Sequence, residues 1–432
     1  MRAGPRAWGG EGRVEKLRVL IATDQYEPMI GGVPTVTREL ARGLAERGHA
    51  VEVLAPSASG RSMTGTEAGA DAAGRVTVAA RRSVRWPWYA DQRLGLLSPS
   101  AARELIDGFA PDVMHVHSPL TLGAVARSAA RRRRVPVVYT NHYLPANVHP
   151  VPSRAERPGP VTRAAGVLLD VGFYGYVTGF ANRCDRVTAP TATALLLLRD
   201  HGLRAPSQVI SNGVDLDAFS PGPADESLRR RHGLPAGRPL ILSVGRLSPE
   251  KRADVLIEAL ARSAVGDSVL ALAGSGPDSQ RLRERAARLG VSERVRFLGF
   301  VPAADLPGLY RLADVFAIAS EAELQSLVTM EAMASGLPVV AVNAGALGEL
   351  VHPGENGFLT RPGLVGDLAG SLDLLCRDAG LRARMSKAGL RIIADHDRHR
   401  LLARWETVYR ALATRGATAG RDGQAKVSDG QP

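Results

Sequence analysis

The sequence predicts an α/β protein built from two doubly wound, Rossmann-like domains that face each other across a central cleft. The chain has 432 residues, which is too long for one ordinary α/β domain and suits two. Short apolar runs alternate with segments of helical periodicity, as expected for parallel βαβ units. The alternation begins again after the turn at Asn212 and Gly213, which indicates a second sheet.

The first domain opens with a βαβ unit. Residues 17–22 (LRVLIA) read as a buried strand, a Gly-Gly turn follows, and Pro34 suits the first position of a helix. Residues 51–54 form the next strand. Further strands are predicted at residues 113–116, 135–139 and 186–189, helices at 120–130 and 195–198, and a proline-rich loop at 141–161.

The second domain repeats this alternation. Its strands are predicted at residues 240–244, 269–273, 295–298, 315–319 and 339–342, with helices between them at 253–262, 280–289, 306–312 and 327–334. The domains therefore span residues 17–203 and 204–395, and a helix at 396–415 returns to the first domain. Residues 1–16 and 416–432 lack the apolar content of a core and are predicted to be disordered.

Positive charge is concentrated in the first half of the chain. The net charge is +12, and residues 1–205 hold 27 Lys and Arg against 17 Asp and Glu, whereas residues 206–432 hold 28 against 26. This asymmetry indicates an anionic partner surface, either a membrane or nucleic acid. An arginine-rich composition without such a partner would produce the same count.

The sequence favours a cytoplasmic protein. Residues 1–16 contain no apolar run of the secretory type. Cys184 and Cys376 lie far apart in the sequence without metal-type spacing, which favours reduced thiols. The apolar segment 164–181 carries Asp170 at its middle and four glycines, which argues against a membrane span. We expect it to form a helix that touches lipid or lines a pocket.

Glycines follow predicted strands at places where an anionic group could approach the backbone. Gly31 and Gly32 precede a helix N-terminus, whose free N–H groups and dipole attract anions. Gly245 and Gly274 follow two strands of the second domain. Tight turns without a ligand would also use these glycines.

Two cations follow the first strand of the second domain. Arg246 and Lys251 lie in the segment VGRLSPEK, where a diphosphate could accept charge-assisted hydrogen bonds. The alternative is a pair of solvated surface cations, which is the usual state of these residues.

The segment 320–336 carries a pair of glutamates around a predicted helix start. Ser326 can cap a helix that ends before Gly336, so Glu323 precedes the helix and Glu331 lies on its second turn. The helix N-terminus offers a place for a phosphate. The two carboxylates could accept hydrogen bonds from sugar hydroxyls, whereas the alternative is one exposed and one internally satisfied glutamate.

Histidines end two strands of the first domain. His117 follows the predicted strand at residues 113–116, and His142 follows the predicted strand that begins at residue 135. Both histidines are therefore expected near the presumed cleft. A structural role is the alternative. No His, Asp or Cys cluster in the sequence has metal-ligand spacing, and no Ser/His/Asp hydrolase elbow is present.

Taken in order, these motifs resemble the retaining glycosyltransferases of family 4, which have the GT-B fold. The resemblance spans residues 17–413 and is carried by EPMIGGV, HVHSP, TNH, SNGVDLDAF, VGRLSPEK, AGSGP, FLGFV and the E-x7-E pair. It implies a nucleotide-diphosphate sugar as co-substrate, of the UDP-glucose or GDP-mannose type. It also implies retention of the anomeric configuration without a metal or other cofactor.

The resemblance further implies roles for individual residues. His117 would assist transfer beside the sugar, Glu323 would contact the donor sugar, and Arg246 and Lys251 would stabilise the leaving diphosphate. Glu331 would hold the ribose hydroxyls. The other implied donor contacts are Gly31, Gly32, Gly245, Gly274, Phe300, Val301, Gln325, Ser326 and Leu327, and His142 and Tyr143 would contact the sugar or the acceptor.

The chain departs from the common pattern between the glutamates. Leu324, Gln325 and Ser326 stand where many members have Gly and Phe, and this variant resembles bacterial diacylglycerol glucosyltransferases and related glycolipid enzymes. We therefore expect a hexosyltransferase peripheral on the inner face of the membrane, with a lipid acceptor and no nucleic acid partner. Alternatives are an inositol or natural-product acceptor, a nucleotide-sugar epimerase or hydrolase, and a silent membrane-binding protein.

Overall fold

The computed structural model describes residues 16–67, 75–86, 89–145 and 160–428. Its strands are β1 (Arg18–Ala22), β2 (Ala50–Pro56), β3 (Met63–Glu67), β4 (Val76–Arg81), β5 (Ser83–Trp86), β6 (Tyr89–Gly95), β7 (Val113–Val116), β8 (Val137–Thr140), β9 (Arg186–Ala189), β10 (Ser207–Val209), β11 (Leu240–Val244), β12 (Val269–Ala273), β13 (Val295–Gly299), β14 (Val315–Ile318), β15 (Val339–Val342) and β16 (Gly357–Thr360). Its α-helices are α1 (Gly32–Glu46), α2 (Pro99–Phe109), α3 (Thr121–Arg132), α4 (Pro160–Ala181), α5 (Ala192–Asp200), α6 (Glu226–Arg231), α7 (Ala253–Arg262), α8 (Ser279–Arg288), α9 (Leu306–Leu312), α10 (Leu327–Ala334), α11 (Val365–Arg377), α12 (Ala379–Ile393) and α13 (Arg398–Ser428).

The strands form two sheets with helices on both faces. The first has the order β10-β9-β8-β7-β1-β2-β4-β3 and is parallel except for the antiparallel β3–β4 pair. The second has the order β13-β12-β11-β14-β15-β16 and is parallel throughout. This arrangement confirms the predicted fold class of two Rossmann-like domains. Strands β5 and β6 form a separate antiparallel hairpin.

Burial on both faces explains why the strands read as continuous apolar runs. In β1, Leu20 packs into one apolar cluster, while Val19 and Ile21 pack into another on the opposite face. In β11, Ile241 and Leu242 divide in the same way between two clusters. Parallel sheets covered by helices have this property, since neither face meets water.

Several elements lie outside the predicted set. The sequence reasoning did not place strands β3 to β6, β10 and β16 or helices α2, α6, α11 and α12. It also treated residues 141–161 as one loop, whereas α4 begins at Pro160. Residues 146–159 of that loop, and the N-terminal residues 1–15, lie outside the described part of the chain. The hairpin strands escape detection because β5 has only four residues and β6 (YADQRLG) does not alternate between apolar and polar residues.

Helix α13 lies against the first sheet. Leu402 approaches α1 so closely that a Cβ on Gly43 would lie 2.5 Å from its Cδ1 atom. Glu406 accepts a 2.7 Å hydrogen bond from the Arg47 guanidinium and lies 2.9 Å from the His49 ring. The backbone of α13 continues to Ser428, whereas the sequence predicts disorder from residue 416.

The chain crosses between the two sheets twice, at neighbouring positions. Val214 and Asp397 form a parallel bridge, in which the Val214 N–H donates to His396 and the Arg398 N–H donates to Val214. The linker after β10 and the segment before α13 therefore meet side by side. Within the described ranges, no helix, including α4, is long and apolar enough to cross a membrane.

Candidate active site in the interdomain cleft

A cavity of about 1030 Å³ lies between the two domains. The loops after β1 and β2 and part of the β5–β6 hairpin line one wall, and the loops after β11, β12, β13 and β14 line the other. These are carboxyl ends of parallel strands, where doubly wound sheets bind ligands. The predicted residues that the structure brings to this cavity are Gly31, Gly32, Gly245, Arg246, Lys251, Gly274, Phe300, Val301, Glu323, Gln325, Ser326, Leu327 and Glu331.

The glycine pair after β1 closes one side of the cavity. Gly31 precedes α1, and no side chain in the described part of the chain caps this helix. The first-turn N–H groups are therefore available to a ligand. A Cβ on Gly32 would lie 3.9 Å from the Leu327 side chain, at the start of α10 in the other domain. The glycine pair and the N-terminus of α10 thus face each other across the cleft.

Gly274 allows two loops of the second domain to pack closely. Its φ is 145°, and an added Cβ would lie 1.8 Å from the Gly245 carbonyl oxygen. The Gly274 N–H donates a 2.7 Å hydrogen bond to Gly299. Glycine is therefore required here for loop packing as well as for access of a ligand to the backbone.

Lys251 and Glu323 form an ion pair on the wall of the second domain. Their Nζ and Oε1 atoms are 2.6 Å apart. Burial acts to lower the pKa of Lys251, but the charge of Glu323 and the hydrogen bond between them outweigh it, so the pKa is raised and the ammonium group persists. Arg246 lines the same wall. This region therefore presents two cationic groups to the cavity, and one of them is paired with a carboxylate.

Helix α10 begins as the sequence predicts. Ser326 caps it by accepting a 3.3 Å hydrogen bond from the Thr329 N–H. Glu331, on the second turn, accepts a 2.8 Å hydrogen bond from the Tyr310 hydroxyl. Burial raises the pKa of Glu331 to about 7, although the hydrogen bond from Tyr310 works against that rise. The Glu331 carboxyl therefore lies at the cavity wall, hydrogen-bonded to a neutral hydroxyl and not to a cation.

Gln325 lines the cavity, but its amide is bound to the interdomain linker. Its Oε1 atom accepts a 2.7 Å hydrogen bond from the Asn212 N–H, and its Nε2 donates to the Ser211 hydroxyl at 2.9 Å. In the next contact, the Thr191 hydroxyl donates to the Leu324 carbonyl at 2.8 Å. The unusual Leu-Gln-Ser segment thus ties the second domain to the first.

The structure does not place His117, His142 and Tyr143 on the wall of the large cavity. His117 is 1% exposed, and its Nδ1 atom lies 2.9 Å from Nε2 of His142, with the rings stacked. Tyr143 is also buried. Burial lowers the pKa of His117, and it lowers that of His142 to about 4, so both rings are neutral.

Helix α13 explains this placement. His115, which shares a strand face with His117, contacts Trp405 at a ring distance of 4.6 Å and hydrogen-bonds Tyr409 at 2.7 Å. The C-terminal helix therefore covers the face that the sequence reasoning took to be open. The catalytic role implied for His117 stays a prediction.

The sequence reasoning missed part of the cavity lining. Asp24, Tyr26 and Arg93 are among the missed residues on the wall of the first domain. A signal existed for Asp24, because it follows β1 at the carboxyl end of a predicted strand. No comparable signal existed for Arg93, since its hairpin was not predicted.

Comparisons with known proteins agree with this geometry. The profile of the family "Glycosyltransferase Family 4" matches residues 30–218, and that of "Glycosyl transferases group 1" matches residues 224–391. Each profile covers one of the two domains. The fold and the paired profiles define a GT-B protein, and the chain belongs to glycosyltransferase family 4.

Individual relatives carry different names. The chain is 35% identical over 66% of its length to "D-inositol 3-phosphate glycosyltransferase" of Nocardia farcinica, and the match spans 62% of that protein. It is 29% identical over 78% of its length to "Alpha-monoglucosyldiacylglycerol synthase" of Streptococcus pneumoniae, spanning 73% of it. It is 31% identical over 79% of its length to "GDP-mannose-dependent alpha-mannosyltransferase" of Mycolicibacterium smegmatis, spanning 84% of it.

A solved structure shares the whole architecture. Anabaena HepE in complex with UDP and glucose superposes with a TM-score of 0.71 at 25% identity, covering 91% of this chain and 100% of that one. The similarity extends over both domains and the cleft between them.

Proposed function

We propose that this protein transfers a hexosyl group from a nucleotide-diphosphate sugar to a hydroxyl acceptor, with retention of the anomeric configuration. The observation that carries the proposal is the cleft wall around α10. There the Lys251–Glu323 pair, Arg246, a capped helix N-terminus and Glu331 line one cavity. Cations and a helix N-terminus suit phosphates, and carboxylates suit sugar and ribose hydroxyls.

The proposed chemistry follows from this separation of phosphate-binding and hydroxyl-binding groups on the cleft wall. The bond between the anomeric carbon and the phosphate oxygen breaks, and Arg246 and Lys251 stabilise the negative charge left on the diphosphate. The acceptor oxygen bonds to the same face of the anomeric carbon, and its proton passes to the departing phosphate. Glu323 orients the sugar, and Glu331 holds the ribose.

The donor class is proposed from the relatives as well as from the site. The solved relative binds UDP and glucose, and one sequence relative is named as GDP-mannose-dependent. Phe300 has 57% of its surface exposed at the cavity, where it offers a flat face on which either base could stack. We propose a donor of the UDP-glucose or GDP-mannose type.

A membrane lipid is the proposed acceptor, and α4 supports it. Val167, Leu168, Leu169 and Val171 each expose more than half of their surface on this helix. An apolar helix face beside a basic domain suits an interface with anionic lipid. The arginine run 131–134 and Arg81, Arg82 and Arg85 are further candidate contacts, together with Trp86, whereas Trp88 lies outside the described residues.

Vesicle sedimentation tests the membrane proposal. We expect binding to vesicles containing anionic lipid, weakening as salt rises, and little binding to neutral vesicles. Leu168→Glu together with Leu169→Glu should reduce binding, while Leu374→Glu, on the exposed side of α11, serves as a matched control. Absence of binding to anionic vesicles at low salt would contradict this proposal.

Nucleotide release tests the transfer itself. Purified protein is supplied with UDP-glucose, GDP-mannose and other donors, with and without a lipid extract. A transferase releases nucleotide only when an acceptor is added. Release without an acceptor would instead indicate a hydrolase, and conversion of the donor without release would indicate an epimerase.

A small soluble acceptor is the second candidate. The relative named "D-inositol 3-phosphate glycosyltransferase" favours it. In the release assay, inositol compounds would then replace the lipid extract, and vesicles would leave the rate unchanged.

A further inference from the structure

Arg93, on β6, is held rigidly on the wall that the first domain contributes to the cavity. Its Nε atom donates a 2.7 Å hydrogen bond to the Ser83 hydroxyl, and its Nη2 donates to the Ser83 carbonyl at 3.1 Å. The Ser83 hydroxyl in turn donates to the Ser57 carbonyl at 2.6 Å. Both serines are buried. The guanidinium orientation is therefore fixed, with Nη1 left to meet a ligand.

Among the described residues of this wall, Arg93 carries a charge without a carboxylate partner. The acidic side chains described there, Asp24 and Glu27, are both satisfied locally. Asp24 accepts 2.8 Å hydrogen bonds from Ser118 and Thr121, and Glu27 pairs with Arg38 at 2.7 Å. Among the described residues, no carboxylate pairs with Arg93. An arginine fixed in this way beside a cavity provides a site for an anion.

The loop after β2 packs against the guanidinium. Ala58 of this loop lines the cavity. Gly60 brings the loop backbone close to the arginine, because an added Cβ would lie 3.0 Å from Nη2 of Arg93. A phosphate, with a negative charge and several acceptor oxygens, suits a guanidinium held in this way.

We propose that Arg93 binds a phosphate ester carried by the acceptor. This inference rests on the proposed function, since it requires the donor diphosphate to lie against Arg246 and Lys251 on the opposite wall. It restricts the acceptor to compounds that carry a phosphate near the reacting hydroxyl. Diacylglycerol, which has no phosphate, is therefore disfavoured as the acceptor. The phosphate belongs either to a lipid headgroup or to a soluble phosphorylated polyol.

Two matched pairs of acceptors separate these sources. The first pair is inositol 1-phosphate and inositol, and the second is dihexanoyl phosphatidylglycerol and dihexanoylglycerol. Donor-dependent nucleotide release is measured for all four with the whole protein. We expect the phosphorylated member of one pair to be preferred, and the preferred pair identifies a soluble or a lipid source.

Variants of Arg93 then test the residue. Arg93→Gln should lower kcat/KM for the preferred phosphorylated acceptor by about 10- to 100-fold, through the acceptor KM, as expected when a charged hydrogen bond is lost. The donor KM and the rate with the neutral partner compound should not change. The kcat/KM of Arg93→Lys should lie between those of the wild type and Arg93→Gln, because lysine keeps the charge but lacks the planar, multidentate guanidinium. Arg61→Gln, an exposed arginine of the neighbouring loop, should match the wild type.

Folding is monitored by thermal unfolding of each variant. If Arg93→Gln does not fold, Ser83→Ala provides the test, since it keeps the charge and removes one anchor. We expect Ser83→Ala to raise the acceptor KM several-fold. An unchanged acceptor KM in that variant would then overturn the assignment.

Three further outcomes would overturn the assignment. They are equal use of the phosphorylated and neutral compounds by the wild type, a change in donor KM rather than acceptor KM in Arg93→Gln, and an equal loss in Arg61→Gln. The proposed function fails separately, if the wild type releases no nucleotide in response to any acceptor.

Discussion

Glu323 and Glu331 lie on the same cleft wall in opposite electrostatic environments. Glu323 pairs with the Lys251 ammonium at 2.6 Å. Among the described residues, the side-chain partner of Glu331 is the neutral Tyr310 hydroxyl at 2.8 Å, and burial raises the pKa of Glu331 to about 7. One carboxylate thus has a cationic partner before substrate arrives. The other gains from hydrogen-bond donors that a ligand brings.

The largest effect on turnover is expected when the cations beside Glu323 are removed. Lys251→Ala and Arg246→Ala should each lower kcat about a hundredfold, because removal of one contact to developing charge costs about 3 kcal/mol. Steady-state turnover measures the loss, and thermal unfolding shows whether the fold survives. Lys387→Ala, an exposed lysine on α12, is the control. Near-normal turnover in both site variants would remove the diphosphate assignment.

The two glutamates should differ in what they bind. Glu331→Gln should weaken free nucleotide and sugar nucleotide alike by about tenfold, because both carry the ribose. Glu323→Gln should weaken the sugar nucleotide and spare the free nucleotide. Titration calorimetry with both ligands measures this, and Glu284→Gln, on α8, is the control. Equal losses for both ligands in both variants would refute the division of roles.

The pH dependence of stability should separate the glutamates further. Burial raises the pKa of the Glu331 carboxyl in the folded protein to about 7. The unfolded chain loses this proton at the lower, ordinary pKa of a glutamate, so between the two pKa values only the folded state binds it. The stability that protonated Glu331 contributes is therefore complete below the ordinary pKa and is lost as pH rises through about 7. Allowing for the solvent that reaches this half-buried side chain, the loss is ~2 kcal/mol.

Denaturant unfolding of wild type and Glu331→Gln between pH 4 and 8 measures this loss. Stability of the variant relative to wild type should grow across the range, because an amide carries no charge to bury. A difference that stays constant with pH would show that Glu331 is not the group responsible.

The smallest change is expected from a chelator. If Arg246, Lys251 and the α10 N-terminus neutralise the leaving diphosphate, EDTA should leave turnover unchanged and the product should keep the anomeric configuration of the donor. Nucleotide release with and without EDTA, and NMR of the product, measure both. Loss of turnover that Mg²⁺ or Mn²⁺ restores, or an inverted product, would contradict the proposed mechanism.

Local patterns were sufficient to predict the wall of the second domain. Strands β11 and β12 are apolar runs that end at glycines, so the sequence alone places Gly245, Arg246 and Gly274 at a strand edge. Ser326 and the residues after it showed a capped helix. Each of these signals lies within a few residues of its consequence, and the structure brings all of them to one cavity.

The wall of the first domain depended on contacts distant in sequence. Arg93 lies at the cavity in an orientation held by Ser83, which donates in turn to the Ser57 carbonyl, and its hairpin has no clear periodicity. The surroundings of His117 also depend on distant contacts. Its strand end suggested an open position, whereas its side chain is 1% exposed, and α13 packs against the neighbouring His115 from 294 residues away in the sequence.

The sequence by itself determined the fold class, the family and the wall around α10, because buried parallel strands, caps and glycine turns are written in short stretches of residues. Only the tertiary structure decided which charges are paired, that Glu331 faces a neutral partner, that α13 covers the histidines, and that Arg93 joins the cavity. Those properties depend on burial and on distances between residues far apart in the chain. Composition and periodicity do not contain that information.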